Sequence, residues 1–265
     1  MRNLSLITFL AVASQLTVQS CRNFPGITIC VGLTPKSGPH LEVNETSFAV
    51  LHGNMSVLQA TFFNRLTHLE RLYFNTTNVW KIEKGALASL HKLKVLGLTG
   101  NKITSIEEGA FSNCSSLETL DLTGNDIEFV SNVNWKGLDN LSNLILRHNF
   151  ISTISPSDFQ HLEQLKLLDL SMNYFEHLNS SSFHVLKNLR ILNLAKNLIE
   201  TIESGTFNGL VNLEELHLES NHLTKTETGF LKETLPKVKQ VYLGKNKFTC
   251  EGVRSEMNLT YSILC

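Results

Sequence analysis

Residues 141–162 read LSNLILRHNFISTISPSDFQHL, and their skeleton of Leu141, Leu144, Leu146, Asn149, Ile151, Ile154, Phe159 and Leu162 recurs on both sides. Twenty-four residues upstream stand Leu117, Leu120, Leu122, Asn125, Ile127, Val130, Trp135 and Leu138. The same step downstream finds Leu165, Leu168, Leu170, Asn173, Phe175, Leu178, Phe183 and Leu186. The first leucines of successive units fall at 69, 93, 117, 141, 165, 189 and 213, and Val238 continues the series after 25 residues. Self-similarity at this period means a stack of units, each burying its apolar face only against its neighbours.

Within a unit the leucines of LETLDL at 117–122 or LEELHL at 213–218 alternate as in a short half-buried strand. Stacked side by side, such strands make a parallel sheet. Asn101, Asn125, Asn149, Asn173, Asn197, Asn221 and Asn246 follow the strands, where the chain turns and backbone groups lose their ladder partners. An inward amide both donates and accepts, so this column is expected to be structural. Phe63, Leu87, Phe111, Trp135, Phe159, Phe183 and Phe207 supply an apolar spine for the wider half of each unit, which bends the stack into an arc with the strands on its concave face. The expected architecture is an α/β solenoid: a horseshoe with a parallel concave sheet and disulfide-capped ends.

Four segments follow: a signal peptide at 1–20, an N-terminal cap at 21–44, the repeat array at 45–248 and an abbreviated C-terminal cap at 249–265. Arg2 and the apolar run Leu4 to Val18 give the first segment its character, and the run is short for the ~20 apolar residues of a membrane span. A secreted chain is therefore expected. Seven Asn-x-Ser/Thr sequons, at Asn44, Asn54, Asn75, Asn113, Asn140, Asn179 and Asn258, fit that route. Cys21 with Cys30 and Cys250 with Cys265 flank the array and read as two local disulfides, while Cys114 takes a leucine column and reads as buried and free.

The formal charge of −1, with no run of like charges, gives no indication of a nucleic-acid partner. No metal-ligand spacing, cofactor loop or catalytic signature occurs, so neither cofactor nor metal is expected and the chain reads as a non-enzyme. Asp121 and Asp169 share a strand column two units apart, roughly 10 Å at ~4.8 Å per strand, close to the separation of the carboxylate pair in inverting glycosidases. Fold cannot assign that chemistry, and an ordinary solvated strand position is the competing reading. His217 between Glu215 and Glu219 is open to a pH-sensing role or to simple solvation.

Side chains alternating with the leucines face the concavity, and they include Val95, Ile145, Leu167 and Ile191, more apolar than a solvated sheet requires. The expected ligand-binding residues are Tyr73, Ile145, Arg147, His148, Leu167, Met172, Asn193, Lys196, His217 and Tyr242.

At its repeats the chain resembles extracellular leucine-rich-repeat proteins, in particular Toll-like receptor ectodomains and variable lymphocyte receptors. LDLTGN at 120–125, LDLSMN at 168–173 and the F-x-x-L convex half carry the likeness, with NKFTC at 246–250 similar to the family's C-terminal cap opening. Lys247 stands in place of its usual proline, and Glu251-Gly252 in place of its second cysteine. The resemblance implies a recognition protein of innate immunity that binds a protein, glycan or microbial ligand on its concave face, with a membrane receptor as a further partner and without a signalling domain. An extracellular matrix or adhesion protein and a truncated receptor ectodomain are the alternatives.

Overall fold

The computed structural model describes residues 20–33, 46–224, 235–248 and 262–264. The signal segment, the Cys250 and Cys265 pair, and the sequons at Asn44 and Asn258 lie outside the described residues.

Each unit contributes one short strand to a twelve-stranded sheet whose order follows the chain. A hairpin opens it: Ser20–Phe24 pairs antiparallel with Ile27–Val31, with Cys21 directly opposite Cys30. These two cysteines are bonded. Every later pairing is parallel and in register, as in Thr119↔Asn143 and Asn143↔Leu167. That register follows from the 24-residue step, because a slip of one residue would turn the buried leucines outward. The middle residue of each strand, such as Leu120, Leu144, Leu168, Leu192 or Leu216, is fully buried, and its two neighbours are half-buried on the open face; Leu96 is likewise buried, with Gly97 beside it buried as well.

The rest of each unit is built from turns, two 3-10 segments, Ala60–Phe63 and Asn132–Trp135, and two-residue strands that pair in small parallel sheets, Val57–Leu58 with Lys81–Ile82 and Ser105–Ile106, and His177–Leu178 with Thr201–Ile202; the described residues contain no α-helix. Phe159, Phe183 and Phe207 stack in series at 6.4 and 6.2 Å, so the apolar spine is a continuous column. One core runs from Cys30 to Leu243. A smaller one, built from Ile27, Ile29, Val31, Ala49 and Leu51, lies where the hairpin meets the first repeats. Cys114 is buried and free, and burial pushes its thiol up to about 12, so it is inert packing material.

The asparagine column forms a hydrogen-bonded ladder. Asn149 Nδ2 donates to the carbonyls of Leu122 and Leu146, both at 3.0 Å, while its Oδ1 accepts from the Ile127 amide at 3.1 Å. Asn173 repeats the pattern on Leu146, Leu170 and Ile151. Each amide therefore stitches its own unit to the one before it.

The residue preceding each ladder position has a left-handed backbone: Thr76, Gly100, Gly124, His148, Met172, Lys196, Ser220 and Lys245 all have φ between 54° and 67°. This is how the chain turns sharply enough to send the following asparagine inward. Only glycine adopts it freely, so Thr76 and the five non-glycine residues from His148 onward hold it against local strain.

Candidate functional site

The left-handed turn tips the residue before each asparagine outward along the edge of the sheet, and the residue after the asparagine lies beyond it on the same edge. Between these two rows runs an open cleft of about 410 Å³. His148, Met172 and Lys196 form one wall, and Asp126, Phe150 and Tyr174 form the other. Its floor is Asn125, Asn149 and Asn173, whose amides are committed to the ladder. Gly124 leaves the first wall low at one end.

The second wall is unusual chemistry for this position. Successive units place Asn78, Lys102, Asp126, Phe150, Tyr174 and Leu198 there. Phe150 and Tyr174 are 47 % and 48 % exposed, yet their rings stack in parallel at 5.6 Å. Two large rings held stacked in water form a rigid flat platform. Across from them Lys196 and His148 are exposed, as is Arg147 at the adjacent strand end, and none of the three has an ion-pair or side-chain hydrogen-bond partner among the described residues.

Three of the ten residues expected from sequence, His148, Met172 and Lys196, come together in this cleft, with Arg147 beside it. Ile145 and Leu167 sit half-buried on adjacent strands, next to Ile191, as a small apolar strip on the concave face. The other four lie elsewhere. Tyr73 packs against the N-terminal apolar cluster and lies over Gly97, where an added Cβ would meet its Cδ1 at 2.6 Å. Burial raises its hydroxyl pKa despite the opposing Arg71 charge. Asn193 Oδ1 accepts from the Ala195 amide at 3.0 Å, as Asp121 and Asp169 accept from Thr123 and Ser171 at 2.9 Å. This column therefore caps the turn after its strand, which accounts for both aspartates without catalysis. Ser171, which strand alternation places on the open face, is 3 % exposed.

His217 and Tyr242 form a separate cluster at the C-terminal end of the sheet. Their rings stack at 4.1 Å, and Tyr242 donates to Gln240 Oε1 at 2.7 Å. His217 lies 3.5 Å from Glu219 and 3.7 Å from Glu215. Burial lowers its pKa, but the hydrogen bonds and charges of Glu219 and Glu215 outweigh that and leave it above the ordinary value of 6.5. Glu219 answers in kind: burial raises its pKa, and the hydrogen bond to His217, a backbone hydrogen bond and the charges of His217 and Lys196 together more than reverse the shift. No group of three or more potential ligands suited to a metal occurs among the described residues.

Phe150, Tyr174, Asp126 and Gly124 were not singled out from sequence. The available signal was two consecutive aromatics in a row otherwise filled mostly by polar residues, a row that becomes visible only once the post-asparagine column is aligned.

The leucine rich repeat family model matches residues 46–103, 67–127, 117–175 and 165–223, which together run from 46 to 223. The chain belongs to the leucine-rich-repeat family. Among solved structures, the crystal structure of the TLR13–ssRNA13 complex matches with a TM-score of 0.75 and 28 % identity over 83 % of this chain. The matched part is 32 % of that chain, so this protein spans about a third of its length. The repeat protein is thus similar to a Toll-like receptor ectodomain. No curated protein matches the sequence.

One expectation is overturned. The near-neutral charge gives no indication of nucleic acid, but the solved repeat protein is in complex with single-stranded RNA. Net charge was the wrong quantity, because it sums pairs that neutralise each other locally. Lys94 with Glu70, Lys81 with Glu107, and Arg190 and Lys239 with Glu214 are such pairs, whereas Arg147 and Lys196 stand beside the cleft with no contact ion pair among the described residues, Lys196 acting on Glu219 only at longer range. The repeat fold is typical of binding proteins rather than enzymes, it suits a ligand-recognition role, and it fits an extracellular or luminal setting. No helix among the described residues is long and apolar enough to cross a membrane.

Proposed function

We propose that this repeat protein is a secreted or luminal recognition module of innate immunity and that it binds single-stranded nucleic acid of microbial origin along the edge of its concave face. The observation that carries this reading is the cleft with a polar wall that carries the Lys196 ammonium beside the His148 ring, facing an aromatic wall, Phe150 and Tyr174. An unpaired strand has a matching cross-section, with phosphates along one side and flat bases along the other. Stacking on aromatic rings beside a positively charged track is how proteins hold such strands. The complex of the solved repeat protein with single-stranded RNA supports the same class. The Cys21–Cys30 disulfide and the exposed sequons at Asn54, Asn113, Asn140 and Asn179 support passage through an oxidising compartment.

Fluorescence anisotropy of the purified protein with a labelled unstructured RNA tests this. Binding should weaken with salt, at a log–log slope of roughly −1 to −2 for two to three phosphate contacts. A duplex of the same sequence should compete poorly. Absence of binding, or equal binding of duplex and single strand, would overturn the reading.

A second reading rests on the half-exposed strip of Ile145, Leu167 and Ile191, which would suit a protein ligand on the central strands. Leu167→Glu distinguishes the two, since it should remove a protein ligand and leave an edge-bound strand in place.

A further inference from the structure

The cleft is not chemically uniform along its length. Its fixed positive charge, Lys196, lies at one end, and Asp126 is the single carboxylate in its lining. Asp126 is half-buried and makes no side-chain hydrogen bond or ion pair with the described residues. It sits one repeat before Phe150, as Tyr174 sits one repeat after. Tyr174 covers one face of the Phe150 ring. The other face looks toward Asp126 and Gly124, where the low wall leaves room: an added Cβ at Gly124 would meet only the backbone of Gly100, at 3.7 Å.

From these placements we infer that the Asp126 end of the cleft is a base-reading subsite selective for an unpaired guanine. This rests on the proposed binding of a single strand. A base stacked on the free face of Phe150 presents its edge to Asp126. An ionised carboxylate only accepts hydrogen bonds, through two oxygens side by side. Guanine alone of the four RNA bases carries two adjacent donors on one edge, the ring N1–H and the exocyclic amine. Adenine and cytosine set an acceptor nitrogen beside their amine, which would oppose the second oxygen. Uracil offers one N–H flanked by two carbonyls. No competing reader occurs in the floor, because the Asn125, Asn149 and Asn173 amides are used within the ladder.

The rest of the cleft then sets the strand's direction of travel. Lys196 lies three repeats from Asp126, roughly 14 Å at ~4.8 Å per strand. That reach leads the phosphates of the neighbouring nucleotides past His148 to Lys196.

The test uses the whole chain and four short oligonucleotides identical except for one central base, with a fifth carrying inosine, which lacks the exocyclic amine. Wild type should bind the guanine oligonucleotide about ten-fold or more tighter than the other three, the discrimination of a good bidentate contact. Inosine should fall between. Asp126→Asn presents one donor and one acceptor, so it should bind all five within about two-fold while keeping the wild-type unfolding midpoint. Equal affinities of wild type for the four bases, or an Asp126→Asn variant that keeps the guanine preference, overturns the subsite and leaves strand binding standing. Failure of every oligonucleotide to bind overturns both proposals together.

Discussion

Asn149 and Phe150 are neighbours in sequence and opposites in environment. Asn149 is 1 % exposed with its amide satisfied on both sides, and Phe150 is 47 % exposed with a ring on one face only. The ladder repeats one residue type from Asn101 to Asn246 because a buried turn demands a group that donates and accepts at once. The rows flanking it face water and obey no such demand. Departures from the repeat there, such as two adjacent aromatics, therefore carry information about ligands rather than about folding.

The largest effect that would break this contrast is on the ladder itself. Asn149→Ala should lower stability by about 1–3 kcal/mol, since it leaves the Ile127 amide without its acceptor in the core and takes one of two donors from each of the Leu122 and Leu146 carbonyls, which keep Asn125 and Asn173. Asn143→Ala, which frees only side-chain contacts to Thr119 and Ser142 on the open face, should cost well under ~1 kcal/mol by chemical denaturation. Equal losses at both sites would dissolve the distinction between the ladder and its surroundings.

Phe150→Ala and Tyr174→Ala should behave in the opposite sense. Each should weaken binding of single-stranded RNA by about 1–3 kcal/mol, the worth of a stacking platform, while the unfolding transition moves little. Arg147→Glu should weaken it further at low salt than at high. If Leu167→Glu abolishes ligand capture and the two aromatic variants do not, the functional surface is the strand face and the edge is ornament.

A smaller effect concerns the left-handed row that throws the two environments apart. Gly124→Ala should cost about 1 kcal/mol because φ is +66° there. His148→Gly should gain up to ~1 kcal/mol of stability at φ +57°, and lose affinity for RNA at the same time. That pairing of gain and loss would mark His148 as retained for its side chain.

The smallest expected change is in pH dependence. His217 has a folded pKa above 6.5, so its contribution is complete below pH ~6.5 and is lost as pH rises through the raised value. Glu219 sets the acid limit, since its lowered pKa holds stability above ~4.5 and surrenders it as pH falls. Protection factors of the amides in Glu215–His217 and Gln240–Tyr242, with the base-catalysed intrinsic rate divided out, should therefore be larger at pH 6 than at pH 8, and His217→Gln should remove the difference. Unchanged protection factors in wild type would mean that Glu215, Glu219 and the stacked Tyr242 do not couple to those strands.

The repeat skeleton, the inward asparagines, the Phe159 to Phe207 column, the Cys21–Cys30 bond and the burial of Cys114 were all legible in the sequence. Each of them answers a constraint imposed once per unit, and a constraint imposed at a fixed interval leaves a period that a one-dimensional reading detects. Tyr73, Asn193, the stacking of Tyr242 on His217 and the edge cleft were not legible in that way. Tyr73 is drawn into the N-terminal cluster by the absence of a side chain at Gly97, and Asn193 is turned onto its own backbone. Phe150 and Tyr174 acquire meaning only because residues 24 apart are brought into ring contact, at 5.6 Å and 8°. Sequence alone determined which residues must be inside, since burial follows local alternation and step length. Only the stacked chain decided which outside residues meet, because that depends on distances across units and on left-handed turns set by tertiary packing rather than by residue type.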